Sequence, residues 1–157
     1  MRIESFIGQA RTSIDAKGRT AFPREFRRFL TEDDGQELVI SLGPNNCLFL
    51  YTVKEWNQFM LELESRPRTE KNELFISILK ANSFPCELDG QNRIFIPSVL
   101  RNRAQIQNDV VFAPQRGKTA SLWNPQRYDA LYGLNTPEQL AAFDAGFWSG
   151  SSSEAGH

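Results

Sequence analysis

The chain has 157 residues, 40% of them hydrophobic and 24% charged, which is enough apolar content for one core and too much for a disordered or fibrous chain. With 18 Lys and Arg against 19 Asp and Glu, the net charge of −1 by itself argues for no affinity to nucleic acid or anionic membrane. No apolar stretch approaches the ~18 residues needed to cross a bilayer and no signal-peptide core follows the first residues, so the chain reads as a soluble cytoplasmic protein.

From the N-terminus, a short strand is expected to enter a tight turn, Asp15-Ala16-Lys17-Gly18-Arg19, and to leave it as a second short strand. Pro23 suits the first turn of a helix that continues over 24–30. Apolar runs at 38–42 and 47–51 flank Gly43-Pro44-Asn45-Asn46, a strong turn signal, and predict a buried hairpin. Thr52 and Glu55 have the spacing of a capping box for a helix reaching about residue 63. After the break at Arg66-Pro67-Arg68, a helix over 69–81 carries Leu74, Phe75, Ile78 and Leu79 as an apolar stripe, expected to pack into the chain's own core, with a contact between subunits as the alternative. A second tight turn follows at Asp89-Gly90-Gln91-Asn92-Arg93, then Pro97 and a second pair of apolar runs around 114–118. Asn124-Pro125 and Thr136-Pro137 are cap-plus-proline starts of two more helices, and the Ser/Gly-rich residues 146–157 read as a disordered tail.

The second half repeats the first. Residues 14–27 match 88–101 at an offset of 74, with the Asp, the Arg, the Pro and the later Arg (Arg27, Arg101) identical and the apolar positions matched in kind. The register continues at an offset of 72, pairing 38–40 with 110–112 and 50–51 with 122–123. Each half has about four short strands, too few to bury a core alone, so the halves are expected to complete each other as interleaved hairpins closing one small barrel. The fold class is therefore α+β and β-rich. The boundaries are a first repeat over 6–52, a helical connector over 53–82, a second repeat over 83–125 and C-terminal helices over 126–145.

The inventory of reactive groups points away from an enzyme. The one histidine is His157, the last residue, which removes the central member of Ser-His-Asp, Cys-His and His-zinc systems. Phosphate-cradling glycine loops are absent from the sequence, and Cys47 and Cys86 lie in apolar runs without C-x-x-C spacing, as buried thiols would. No catalytic residue, metal or cofactor is expected.

The near-zero net charge hides a strong pattern. Residues 1–30, 31–92, 93–127 and 128–157 carry net charges of +4, −6, +5 and −4, as a protein with one positive and one negative face would show. Both Asp-x-x-x-Arg turns touch the basic blocks. In each turn the carboxylate can accept backbone N–H groups and hold the arginine at the strand entrance, with Gly18 or Asn92 supplying a left-handed position. Asp15, Gly18, Asp89 and Asn92 are thus expected to structure the turns. Arg19 and Arg93 offer planar guanidinium forks that fit guanine or phosphate, and Lys17 adds charge at the first tip.

At these residues the chain resembles the MraZ family of bacterial transcriptional regulators, with tandem SpoVT-AbrB-type units that each carry an Asp-x-x-x-Arg motif. The likeness spans about residues 1–145 and rests on Asp15, Lys17, Gly18, Arg19 and Pro23, on Asp89, Arg93 and Pro97, and on the 47–56 stretch. It implies a swapped-hairpin barrel, a homo-oligomeric ring of about eight or more subunits, and binding of double-stranded DNA at promoter direct repeats upstream of the division and cell-wall genes. A repressor located in the cytoplasm at the nucleoid would follow. The implied DNA contacts are Arg19, Lys17 and Arg93, with Arg27 and Arg28 as further basic candidates. Thr20 stands where an aliphatic residue is usual, which is expected to matter little on a partly exposed strand. The rival from another class is an oligomeric, antitoxin-like protein-interaction module that uses the 74–79 stripe without reading DNA.

Overall fold

Short runs of β-branched and aromatic residues, cut by Gly, Pro and Asn turns, set the strand pattern, and the computed structural model describes residues 2–149. The first half gives β1 (Ala10–Ser13), β2 (Arg19–Ala21), α1 (Arg24–Arg27), β3 (Glu37–Leu42) and β4 (Leu48–Thr52). Helices α2 (Val53–Glu64) and α3 (Glu70–Ala81) follow. The second half gives β5 (Phe84–Glu87), β6 (Arg93–Phe95), α4 (Ser98–Ala104), β7 (Asp109–Pro114) and β8 (Thr119–Trp123). Pro23 and Pro97 stand one position ahead of the expected first turn, as extended N-caps of α1 and α4.

The chain divides after Asn124 into two units. The second contains α5 (Pro125–Tyr132), α6 (Pro137–Phe143) and a π-helical turn over Asp144–Ser149. Thr136 caps α6 in the expected reciprocal way, accepting from the Gln139 N–H at 3.1 Å while the Gln139 side chain accepts from Thr136 N–H at 3.3 Å. The part of the expected tail from 150 to 157 lies outside the described residues.

In the first unit the architecture is α+β with antiparallel ladders. A six-stranded sheet runs in the order β1-β7-β8-β4-β3-β5, and β2 pairs with β6 as a separate two-stranded ribbon. Exchanging every strand for its counterpart in the other half turns the six-strand order into its own reverse. The halves are therefore interleaved: β1 lies on β7, β5 on β3, and β4 on β8. The hydrogen-bonded ladders end at β1 and β5, and among the described residues no closed barrel is found. One core serves both halves, with Ile40, Leu50, Phe112 and Leu122 from the hairpins meeting Phe22, Phe26, Ile94, Ile96 and Leu100. Phe6, Phe22, Phe26 and Phe112 form its aromatic centre, with ring centroids 5.1 to 6.4 Å apart.

Four local expectations need correction. Thr20 is not partly exposed but 2% exposed, and its hydroxyl donates to the Ser13 carbonyl at 2.7 Å and lies 2.7 Å from Thr12 Oγ1. A polar residue is tolerated there because it is hydrogen-bonded. Replacing it by valine should lower unfolding stability by about 1 kcal/mol, read by urea denaturation; an unchanged or higher stability would show that the hydroxyl contributes nothing. The α2 capping box is half formed, since Thr52 Oγ1 accepts from Glu55 N–H at 3.2 Å but the Glu55 carboxylate turns away. It accepts instead from Lys118 N–H at 3.2 Å, in the turn between β7 and β8.

The α3 stripe also faces differently. Leu79 is 5% exposed, whereas Leu74, Phe75 and Ile78 are 60%, 50% and 49% exposed. The helix turns Ile76 and Leu79 inward onto Leu63 and Met60, so only the edge of the apolar stripe reaches the interior. Finally, Lys118 does not add to a positive face. Its ammonium is buried 2.6 Å from the Asp34 carboxylate, tying the β7–β8 turn to the first half.

Candidate nucleic-acid interface

The two Asp-x-x-x-Arg turns have the same hydrogen-bond plan. In the first, Asp15 Oδ1 accepts from Lys17 N–H and Arg19 N–H at 2.9 Å each, and Oδ2 accepts from Arg19 Nε–H at 3.0 Å. In the second, Asp89 Oδ1 accepts from Gln91 N–H at 2.8 Å and Arg93 N–H at 2.9 Å, and Oδ2 from Arg93 Nε–H at 2.9 Å. Gly18 at φ 87° and Asn92 at φ 58° occupy the left-handed position that closes each turn. The arginine N–H bonds hold both carboxyls below the ordinary carboxylate value of 3.8. Carboxylates with lowered values support the turns above that pH and release them only as the pH falls through the lowered value.

Each aspartate engages the Nε–H of its arginine, one of the five side-chain donors, and so restrains the guanidinium at that end. The ribbon then puts both arginines on one surface. β2 and β6 pair as Arg19↔Phe95, Thr20↔Ile94 and Ala21↔Arg93. Thr20 and Ile94 are buried, so the alternation of side chains sends Arg19, Ala21, Arg93 and Phe95 to the outer face. As diagonal neighbours on a strand pair, Arg19 and Arg93 stand about 7–8 Å apart at the backbone.

The exchange of strands also makes each end of the ribbon composite. Ile96 N–H donates to the Gly18 carbonyl at 2.9 Å, and Arg101 Nε–H donates to the Ile96 carbonyl at 2.8 Å. A Cβ at Gly18 would come within 2.9 Å of Arg101 Nη2, so the guanidinium of Arg101 lies directly on the first turn. At the other end, Phe22 N–H donates to the Asn92 carbonyl at 2.9 Å and Arg27 Nε–H to the Phe22 carbonyl at 3.0 Å. Arg27 therefore belongs beside the second turn. Arg28 is held elsewhere, with its guanidinium carbon 5.2 Å from the centre of the Phe29 ring. Lys17 is exposed at the tip of the first turn, where the second has Gln91.

Arg101 is the residue that sequence reasoning passed over as a contact. The repeat already pairs it with Arg27, which was the available signal; which turn each arginine reaches depends on the exchange between halves and is not local. Three of the five cations of the acidic middle block are engaged in exposed ion pairs, Arg66 with Glu62, Arg68 with Glu73 and Lys80 with Glu64. The ribbon gathers Arg19, Arg93, Arg27 and Arg101. Among the described residues no group of three His, Cys, Asp or Glu is placed to hold a metal, and no helix is long and apolar enough to cross a membrane.

Comparison with known proteins gives a consistent result. The sequence model of a family described as "MraZ protein, putative antitoxin-like" matches residues 6–76 and 79–140. A protein named transcriptional regulator MraZ from Thermoanaerobacter sp. (strain X514) is 40% identical over 107 residues, 68% of this chain and 72% of the relative. Proteins of the same name from Ligilactobacillus salivarius and Acetivibrio thermocellus are 36% identical over 127 residues and 33% identical over 129. These cover 80% and 82% of this chain and 85% and 87% of the relatives.

Proposed function

Because the chain belongs to the MraZ family, we propose that it is a sequence-specific DNA-binding transcriptional regulator whose β2–β6 ribbon enters the major groove of double-stranded DNA. The observation that carries this is the pair of aspartate-held arginines on one outer face, each end flanked by an arginine from the other half. A two-stranded ribbon fits the major groove, and Arg19 in a rigid turn can present its guanidinium to guanine O6 and N7. Lys17 joins it at the tip. Arg93 reads more weakly from a turn without the lysine, while Arg27 and Arg101 neutralise phosphates and fix the register. Arg28 adds to the surrounding field from its place on Phe29.

The finer architecture belongs to the same proposal. The six-stranded sheet and the ribbon wrap one core as a swapped-hairpin barrel, made from repeats 6–52 and 83–125 with a connector over 53–82 and helices over 126–145. Subunits assemble into a ring so that several Arg19 turns engage direct promoter repeats on one duplex, and avidity multiplies modest single contacts. The target is the division and cell-wall gene cluster, with repression as its effect, in the cytoplasm at the nucleoid.

The exposed Leu74, Phe75 and Ile78 favour a second reading, an oligomeric, antitoxin-like partner binder that uses α3 and reads no DNA. A salt titration with duplex from upstream of the chain's own gene separates the two. Phosphate engagement makes affinity fall steeply with salt, and Arg27→Ala and Arg101→Ala should each weaken binding about equally for specific and scrambled duplexes and reduce the salt slope by about one. An affinity indifferent to salt, or undetectable binding, would favour the partner-binding reading.

A further inference from the structure

The outer face of the ribbon is nearly two-fold in plan but not in chemistry. Opposite Arg19 stands Phe95, 52% exposed, and opposite Arg93 stands Ala21, its counterpart in the repeat. Phe95 cannot turn into the core, because the alternation that buries Ile94 and Ile96 directs it outward. An aromatic ring left in water beside an aspartate-held guanidinium is an apolar contact surface set inside a basic one. We propose that Phe95 is a specificity-determining residue that packs against the 5-methyl group of a thymine next to the base contacted by Arg19. The inference rests on the DNA-binding reading above and deepens it.

The chemistry favours this occupant. The flanking Arg19, Arg93 and Arg101 demand a polyanion, which fits a duplex better than an apolar protein patch. Within the major groove the thymine methyl is the one apolar feature on the base edges, and a phenyl ring is among the side chains suited to it. Ala21, at the other end, is too short to make the same contact. The difference between Phe95 and Ala21, together with Lys17 against Gln91, gives the ribbon a polarity. A nearly symmetric element thereby reads its site in one direction.

The test removes the thymine methyl groups and nothing else from the base pairs. Full-length protein is titrated by fluorescence anisotropy onto the upstream duplex and onto the same duplex with every thymine replaced by deoxyuridine, which keeps the Watson–Crick hydrogen bonds. Wild type should bind the deoxyuridine duplex about fourfold more weakly, the loss expected for one buried methyl. Phe95→Ala should bind the thymine duplex as weakly and show no response to the exchange, and Phe95→Leu should retain part of it. Wild type indifferent to the methyl groups, or Phe95→Ala as sensitive as wild type, overturns the inference. A change in particle size by light scattering for Phe95→Ala, with methyl sensitivity kept, overturns it in favour of a contact between copies. If Arg19→Ala still weakens a salt-dependent interaction while Phe95 proves neutral, only this inference falls; if wild type binds neither duplex, the DNA-binding reading falls with it.

Discussion

Arg19→Ala is expected to weaken binding to the upstream duplex by about 1–3 kcal/mol per contact, or roughly 5- to 150-fold, and to narrow the gap between specific and scrambled DNA. The effect follows from the geometry of the turn. A free arginine carries about 2 kcal/mol of rotamer entropy, and the Asp15 carboxylate restricts that freedom before DNA arrives by holding Nε at 3.0 Å. Arg19→Lys should not restore discrimination, because an ammonium presents no planar fork. The same change should leave folding nearly intact, since the Arg19–Asp15 pair lies at the surface, where solvent screens it. Arg93→Ala should cost less, its turn having Gln91 in place of Lys17. Anisotropy titrations on both duplexes, with urea denaturation as the control, measure these effects; equal losses on both duplexes from Arg19→Ala would reduce it to a phosphate contact.

The largest effect on stability is expected at Asp34. Its side chain is 4% exposed and accepts from Lys118 Nζ–H at 2.6 Å, Thr31 N–H at 2.7 Å and Thr31 Oγ1–H at 3.1 Å. Asp34→Ala strands the Lys118 ammonium, itself 11% exposed, and releases the turn that joins the second hairpin to the first half. Breaking a buried pair in this way costs about 3–5 kcal/mol, which for a chain of this size lowers Tm by roughly 6–20 °C. Replacing both partners together, Asp34→Leu with Lys118→Met, should recover part of the loss because no charge is left unpaired. Burial opposes ionisation of Asp34, but the bonds from Lys118 and Thr31 outweigh it and keep its carboxyl below 3.8. The contribution is therefore present above the ordinary carboxylate range and disappears as the pH falls through the lowered value. A loss below about 1 kcal/mol at neutral pH would show that the pair acts as an exposed one.

Much of this molecule is legible in its sequence because its signals are local. The Asp-x-x-x-Arg turns, the hairpin around Pro44 and the Thr136 cap each depend on a few consecutive residues, and the 74-residue offset relates the halves before any contact is known. What escapes is set by partners distant in sequence. Arg101 reaches the first turn only because β6 crosses to β2, and Lys118 leaves the basic face only because Asp34 lies under its hairpin. Glu55 illustrates the competition directly: the spacing offers it the Thr52 N–H, but the β7–β8 turn brings it Lys118 N–H, and Thr52 N–H donates to the Lys118 carbonyl at 3.4 Å. Thr20 and the α3 stripe show the limit of periodicity, which identifies an apolar face without saying how far that face is turned toward the core.

Direct reading of guanine by Arg19 is tested most sharply by replacing guanine with 7-deazaguanine in the upstream duplex, which removes the N7 acceptor and leaves base pairing intact. Wild type should lose affinity on the modified duplex, and Arg19→Ala, already lacking the main guanidinium, should lose several-fold less, keeping only the weaker response that belongs to Arg93. Equal losses for wild type and Arg19→Ala would contradict the assignment of base recognition to the Arg19 turn.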